Sequence, residues 1–209
     1  MADWATISAL ATAGGTLVLA GATFAAVRSS NRSARVAERA LLAGLRPLLI
    51  SSRRDDPPQK IHFAEGRYIV APGGGAALEV ADEAIYLGIS VRNAGSGGAY
   101  LHGWHFHPEW LAGVPDHLPL EEFTRTTRDI YIPPHDTGFW QGRLRDPSSP
   151  EFAAAREAIE SRRNCTVEVL YGDEEGGQRM ITRFGLVAGN DVWLAEEARH
   201  WNLDRASPR

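Results

Sequence analysis

The chain begins with a long run of apolar and small residues that carries no charge. From Trp4 to Val27, 24 residues contain no acidic or basic side chain. At about 1.5 Å per residue such a helix is roughly 36 Å long, and the hydrocarbon core of a bilayer is about 30 Å thick. The pattern predicts a membrane-spanning helix. The alternative is a buried helix of a soluble protein, which in a multi-subunit protein would pack into a partner's helix bundle.

An arginine-bearing segment follows the uncharged run. At about 100° per residue, Arg28, Arg32, Arg35, Arg39 and Arg46 fall within about 40° of one line along a helix. We expect the first four to contact anionic lipid headgroups, with an ordinary solvated face as the alternative. Because arginines that flank a span stay in the cytoplasm, the N-terminus is expected outside and the following domain inside. A cleaved signal peptide is not expected, since "MADW" is acidic.

The face opposite these arginines is made of small residues. It includes Gly15, Ala22, Ala26, Ala37 and Gly44. Small residues let two helices approach closely, so the stripe predicts self-association of two copies. The alternative is that an alanine-rich helix shows small residues on every face.

The hydrophobic period changes from 3.6 to 2 after Pro47, which cannot continue the helix. The chain therefore divides into a transmembrane and juxtamembrane helix, residues 1–46, and a domain, residues 47–209. Within "AIYLGISVRN" (84–93) the residues Ile85, Leu87, Ile89 and Val91 share one face, which predicts a half-buried strand.

Further alternating runs and turns indicate the fold class. Turns such as "APGGGA", "NAGSGG" and "GDEEGGQ" contain residues that tolerate positive φ, and they separate several of the runs. The segment 148–164 has helical spacing of Phe152, Ala155 and Ile159. We predict a mainly β domain, an antiparallel β-sandwich with one inserted helix. Its other strands are expected at 47–52, 67–71, 77–81, 129–133, 137–144, 165–171, 178–186 and 191–195, with an extended run at 100–110.

Charge and cysteine content narrow the function classes. Residues 1–54 hold seven arginines against two acidic residues, a net +5, whereas the rest hold 15 basic and 24 acidic residues, a net −9. An acidic domain disfavours nucleic acid as a partner. Cys165 is the only cysteine, so neither an intramolecular disulfide nor a cysteine-based zinc site is expected. Its alternating setting predicts a buried small hydrophobe rather than a reactive thiol.

The stretch "YLHGWHFHPEW" (100–110) is the strongest candidate for chemistry. In a regular strand Tyr100, His102, Trp104 and Phe106 share one face, and His105 and His107 lie on the other. The three histidines cannot then meet at one ion unless a bulge intervenes. His105 and His107 have a spacing compatible with zinc, but zinc needs three or four ligands and no third is evident. Core packing of the aromatic face is therefore predicted, with no metal site.

Other templates for chemistry are absent from the sequence. It has no GxxxxGK, GxSxG, HExxH or EF-hand pattern, so no catalytic or cofactor-binding residue is assigned and no cofactor is expected. The second candidate is "HDTGFWQGRLRD" (135–146), where one of the adjacent rings Phe139 and Trp140 would face outward and anchor a partner. Core packing, or an aromatic pair across neighbouring strands, is the favoured alternative.

Four segments carry a resemblance to a known group of proteins. They are "NRSARVAERALLAGLRPLLI", "YLGISVRNAGSGGAYLHGW", "TRDIYIPP" and "RHWNLD", which together extend over most of the chain. In them the chain resembles uncharacterised membrane-anchored β-domain proteins of high-GC Gram-positive bacteria. The resemblance implies a span followed by a β-rich domain and brings no activity. The "RNAGSG" turn is also similar to turns of bacterial immunoglobulin-like modules.

Together these patterns predict a single-pass, membrane-anchored binding or scaffold protein rather than an enzyme. Membrane lipids and a protein partner, or a second copy of the chain, are the expected partners. The alternative is a membrane-attached metal-dependent enzyme that uses the histidine-rich strand 100–110.

Overall fold

A computed structural model describes residues 3–204. In it the N-terminal segment forms one helix, α1 (Trp4–Gly44), of 41 residues. Within Ile7–Leu42 a window of 18 residues has a mean hydropathy of 1.7, and the helix is long and apolar enough to cross a membrane. The helix ends three residues before Pro47, as the restricted geometry before a proline predicts. The chain divides into two compact units, residues 1–44 and residues 45–209.

The second unit is built mainly from strands. Between residues 45 and 204 there are twelve strands and one α-helix, α2 (Pro150–Glu160). The strands are β1 (Leu49–Ser51), β2 (Gln59–His62), β3 (Tyr68–Ala71), β4 (Gly75–Val80), β5 (Ile85–Asn93), β6 (Ala99–His107), β7 (Thr124–Arg125), β8 (Tyr131–Ile132), β9 (Thr137–Leu144), β10 (Cys165–Gly172), β11 (Arg179–Ala188) and β12 (Trp193–Asn202).

Ten of these strands form one antiparallel sheet, which confirms the mainly β class. Its order is β1-β5-β4-β12-β11-β10-β6-β7, with β9 paired along β5 and β8 paired with β6. The remaining two strands, β2 and β3, form a separate hairpin. The sequence pattern missed β2 because its only buried apolar residue is Ile61. It also ended β12 too early, because "EEARH" in the second half of that strand is largely exposed and polar.

The helix α2 begins and packs as its sequence predicts. The Ser149 hydroxyl caps it by accepting a hydrogen bond from the Phe152 N–H at 3.1 Å. Phe152, Ala155 and Ile159 are buried in the main hydrophobic core. The helix therefore contributes one apolar stripe to the core of a sheet protein.

Strand β5 pairs with β1, β4 and β9 and is buried on both faces. Ile85, Leu87, Ile89 and Val91 are fully buried in the main core, as predicted. The other face is also covered, so the expectation of a half-buried strand was wrong. The β2–β3 hairpin supplies that cover: a side chain added at Gly88 would collide with Ile61 and Ile69 of the hairpin. These hairpin residues, with Phe63 and Tyr86, form a second, smaller core.

Strand β6 contains a bulge that corrects the predicted faces of the histidine-rich stretch. On β10, Tyr171 pairs with Leu101 and the adjacent Leu170 pairs with Gly103, so His102 is the extra residue. The bulge moves Leu101 into the core together with Trp104 and Phe106, and it leaves His102 exposed. The expectation that His102 shares a face with Trp104 was therefore wrong.

The turn "NAGSGG" is fixed by the segment that follows α1. The buried Asn93 amide donates to the carbonyls of Gly97 and Ile132 at 2.7 and 3.1 Å, and its oxygen accepts from the Leu48 N–H at 3.1 Å. Gly97 does not have positive φ. It has no side chain because the Leu45 carbonyl occupies the position that a Cβ would take.

Gly97→Ala is expected to lower the free energy of unfolding by about 1–3 kcal/mol, the range for overpacking. The added methyl group would force the backbone at Leu45 to move. Urea unfolding followed by tryptophan fluorescence measures the change. Gly177→Ala is the control, because the nearest atom to its added Cβ is an Asp173 oxygen at 3.8 Å. Equal stability of the two variants would contradict the close-approach explanation.

Candidate functional site

The candidate residues of α1 lie on an exposed helix surface. The side chains of Arg28, Arg32 and Arg35 are exposed, whereas that of Arg39 lies outside the described side chains. The predicted small-residue stripe is exposed as well, and it comprises Gly15, Ala22, Ala26, Ala37 and Gly44. No atom lies within 4 Å of a Cβ built at Gly15 or Gly44. Both surfaces are open to lipid or to another helix, and the contacts expected of them stay predictions.

The face of β10 and β11 that is turned away from the main core, called the outer face here, carries a buried ion pair. Glu168 and Arg183 are direct partners in the register of the two strands. Their exposed fractions are 0% and 1%. Glu168 Oε1 accepts hydrogen bonds from Arg183 Nε at 2.8 Å and Nη2 at 2.5 Å. The pair is therefore a charge-assisted contact with little access to water.

Arg183 also holds the loop 108–119 against the outer face. Its Nη1 donates to the carbonyls of Leu111 and Val114 at 2.8 and 2.7 Å, and its Nη2 donates to the Asp116 carbonyl at 2.6 Å. All five N–H bonds of the guanidinium are thus used. The indole of Trp201 lies under the guanidinium, 4.8 Å from its central carbon. The group is a structural clamp with no donor left for a ligand.

Three further hydrogen bonds on the outer face complete the attachment of the loop. Thr166 Oγ1 donates to the Glu109 carbonyl at 2.8 Å and accepts from the Leu111 N–H at 3.0 Å. Glu168 Oε2 accepts from the Leu118 N–H at 3.0 Å. Alternate residues of β10 therefore fix both ends of a loop that has no regular secondary structure of its own.

These contacts keep Glu168 ionised. Burial alone would raise the pKa of the Glu168 carboxyl, but His107, the Leu118 N–H and Arg183 together outweigh burial and lower that pKa. His107 Nε2 is 3.9 Å from Glu168 Oε2, which is too far for a hydrogen bond. The hydrogen bonds from Arg183 and from the Leu118 N–H are therefore the contacts that keep the Glu168 carboxyl deprotonated. A carboxylate held in this state is a poor general acid or base near neutral pH.

The histidines of β6 lie beside this pair. The rings of His105 and His107 are 4.5 Å apart between centroids. Burial, with the neighbouring His107 as the next cause, lowers the pKa of His105, so its ring is neutral at neutral pH. His102 stands apart in the bulge, and burial and then Arg179 lower its pKa. Among residues 3–204, no three His, Cys, Asp or Glu side chains are arranged to hold a metal ion.

The other residues singled out by the sequence are in the core. Cys165 is fully buried, which confirms its prediction as a small hydrophobe, and burial raises its pKa to about 12. Trp140 is also fully buried and meets Trp104 edge to face at 5.6 Å. Phe139 packs between the main and the second core. Both rings of the 135–146 segment therefore serve packing.

A cavity of about 380 Å³ lies between the β2–β3 hairpin, β9 and the segment 124–130. Its wall has an apolar part formed by Phe63, Trp104 and Ile130. Four arginines also line it, namely Arg125, Arg128, Arg143 and Arg145. This combination of aromatic and cationic walls is typical of a small-molecule site with a few orienting groups.

The sequence contains a pattern from which the buried ion pair could have been predicted. It contains little from which the cavity could have been predicted. Glu168 and Arg183 are each the single charged residue inside a run of otherwise buried strand positions, "TVEVLY" and "MITRFG". Two such charges on predicted neighbouring strands indicate a buried pair. The cavity arginines come from β7, the following loop, β9 and the residue just after β9, and only the fold brings these segments together.

Replacing Arg183 by lysine is expected to lower the free energy of unfolding by about 3–5 kcal/mol, because at least two buried acceptors lose their donors and each loss costs about 1–3 kcal/mol. A lysine ammonium has three donors and cannot reach Glu168 and three carbonyls together. Urea unfolding measures the loss, and limited proteolysis should cut the released loop 108–119. Arg199→Lys is the control, since Arg199 pairs with Arg183 across the strands and stacks on the same Trp201 ring at 5.6 Å. An Arg183→Lys variant as stable as the control would contradict the clamp.

Comparisons with protein-family models, curated proteins and solved structures give no match to this chain. The resemblance to membrane-anchored β-domain proteins therefore stays a prediction. The function of the chain has to be argued from its own sequence and geometry.

Proposed function

We propose that the protein is a single-pass, membrane-anchored binding protein whose β domain lies in the cytoplasm. The observation that carries the proposal is that the helix segment Ile7–Leu42 contains an apolar window of 18 residues, none of which is buried within the structure. Apolar side chains such as Leu17, Leu19 and Phe24, whose exposed fractions are 75%, 69% and 69%, need a nonpolar environment. A bilayer supplies it.

The charge pattern of α1 supports both the span and its orientation. The uncharged first part fits the hydrocarbon core, and Arg28, Arg32 and Arg35 then fall at its boundary. Long arginine side chains there reach the headgroup region and favour anionic lipid by about 1 kcal/mol each. Since these positive charges follow the span, the domain that comes after them belongs in the cytoplasm.

An antiparallel β-sandwich is the architecture we propose for the domain. Inward-facing residues of β5 and β9 share one core with those of β6, β10 and β11, as in two packed sheets. The contact of β4 with β12 extends over only two residue pairs, so it can act as the corner between the layers. The immunoglobulin-like comparison stays a prediction, because the "RNAGSG" turn on which it rests is explained locally by Asn93 and Gly97.

Binding is favoured over catalysis by how the charged groups are used. Glu168 and Arg183 are fully engaged with each other and with the loop 108–119. By contrast, the arginine-lined cavity is open space within the folded domain. The metal-dependent enzyme considered for strand 100–110 has no geometric support among the described residues. The acidic domain continues to disfavour nucleic acid.

The topology gives the first test. A reporter that is active only outside the cytoplasmic membrane, fused to the C-terminus, should be silent, and a cytoplasmic reporter at the same place should be active. Moving the positive charges is the matched control: with Arg28, Arg32 and Arg35 changed to Gln and three arginines added before Trp4, the orientation should invert. An active external reporter on the unchanged chain would contradict the orientation.

A second copy of the chain is the partner that α1 itself favours. If two helices pack along the small-residue stripe, Gly15→Ile or Ala22→Ile should weaken association about fivefold, since such contacts are worth about 1 kcal/mol each in lipid. Leu17→Ile lies off the stripe and is the control. Energy transfer between labelled full-length chains in bilayers measures the effect. Equal association of all three variants would leave the stripe without a role.

A further inference from the structure

We propose that the cavity bounded by the β2–β3 hairpin, β9 and the segment 124–130 binds a small organic anion, a phosphate monoester on an apolar body. This proposal names a ligand class for the proposed binding function, and it rests on that function. It does not depend on the orientation of α1.

The cavity concentrates positive charge in a domain that is otherwise acidic. Of its four arginines, Arg143 forms an ion pair with Glu65, which also lines the cavity. Within residues 3–204 the other three, Arg125, Arg128 and Arg145, have no carboxylate partner, and all three are exposed. Residues 55–209 carry a net charge of −9, so a local excess of cations is contrary to the composition. Like charges around one space attract a counter-ion.

The apolar part of the wall determines what else the ligand carries. The Trp104 side chain is only 4% exposed and that of Phe63 only 7% exposed, yet both line the cavity. A bare inorganic anion would leave these aromatic surfaces unused. An apolar or aromatic group would be removed from water there, while its anionic end faces the arginines.

Two polar atoms of the wall residues lack partners. Gln141 Oε1 and Arg143 Nε are buried and form no hydrogen bond within the described structure. Such atoms are destabilising unless water or a ligand satisfies them. A phosphate oxygen would satisfy Arg143 Nε, and a hydroxyl group of the ligand or a water molecule would donate to the Gln141 oxygen.

The volume fits a small molecule. A cavity of about 380 Å³ is at the lower end of the range for ligand sites, about 300–1,000 Å³. It admits one ring with a phosphate group and is too small for a folded partner. Arginine is suited to this task, because its planar guanidinium recognises phosphate through two parallel hydrogen bonds.

The test uses the full chain in nanodiscs of zwitterionic lipid and isothermal titration with phenyl phosphate. We expect a Kd below about 1 mM, and weaker binding of inorganic phosphate, which lacks the ring. Arg125→Gln and Arg145→Gln should each weaken phenyl phosphate about tenfold. Arg163→Gln is the matched control: it removes the same charge from an arginine that is also exposed and whose partner is Glu157. It should change the affinity less than twofold.

The source of the phosphate is tested by competition. Vesicles that contain phosphatidate, whose headgroup is a phosphate monoester, either displace phenyl phosphate or do not. Displacement supports a lipid headgroup as the occupant, and its absence supports a soluble metabolite of the same chemistry. Both outcomes support the cavity as the site.

The proposal is overturned if phenyl phosphate fails to bind at millimolar concentration. It is equally overturned if Arg125→Gln, Arg145→Gln and Arg163→Gln bind it alike, because the binding would then reflect general surface charge. A wild-type thermal melting curve for each variant shows that the fold is intact. If phenyl phosphate does not bind while the external reporter is silent, the ligand proposal is wrong and the membrane orientation stands. If the external reporter is active while phenyl phosphate binds, the orientation is wrong and the ligand proposal stands.

Discussion

Burying the guanidinium of Arg183 constrains the outer half of the domain. A guanidinium stays charged at all physiological pH values, so once it is buried every N–H needs an acceptor. One carboxylate, that of Glu168, supplies the opposite charge, and three loop carbonyls supply the remaining acceptors. The loop 108–119 therefore takes its conformation from a side chain of β11. The same constraint leaves the Arg183 guanidinium without a free donor for a ligand.

The β2–β3 hairpin covers the other half of the domain and forms part of the cavity wall. It covers the second face of β5, so that strand is enclosed on both sides. Its ion pair from Glu65 to Arg143 joins the hairpin to β9. Phe63 belongs both to the second core and to the cavity wall. The element that completes the fold thus also creates the space in which we place a ligand.

Charge is separated along the chain and again within the domain. Positive charge follows the apolar helix, and the domain that comes next is acidic. Inside that acidic domain the cavity collects arginines from β7, β9 and the segment between β7 and β8. One separation orients the protein at a membrane, as we propose, and the other would select an anion. Both rest on arginine, which forms paired hydrogen bonds with phosphate in lipids and metabolites alike.

The sequence alone determined the features that depend on local periodicity. The uncharged run predicted α1, the alternation of Ile85, Leu87, Ile89 and Val91 predicted one core face of β5, and the capped apolar stripe predicted α2. These follow from side chains a few residues apart, whose spacing needs no knowledge of a partner.

The tertiary structure alone decided which strand faces are buried and which residues that are distant in the sequence come into contact. The bulge at His102 placed Leu101, and not His102, on the core face of β6 with Trp104, because the register of β6 is set by its pairing with β10. Glu168 met Arg183 through the pairing of β10 with β11. Segments far apart in the chain formed the cavity. Each depends on strand pairing between distant parts of the chain, and a single sequence does not state which residues will face each other across that distance.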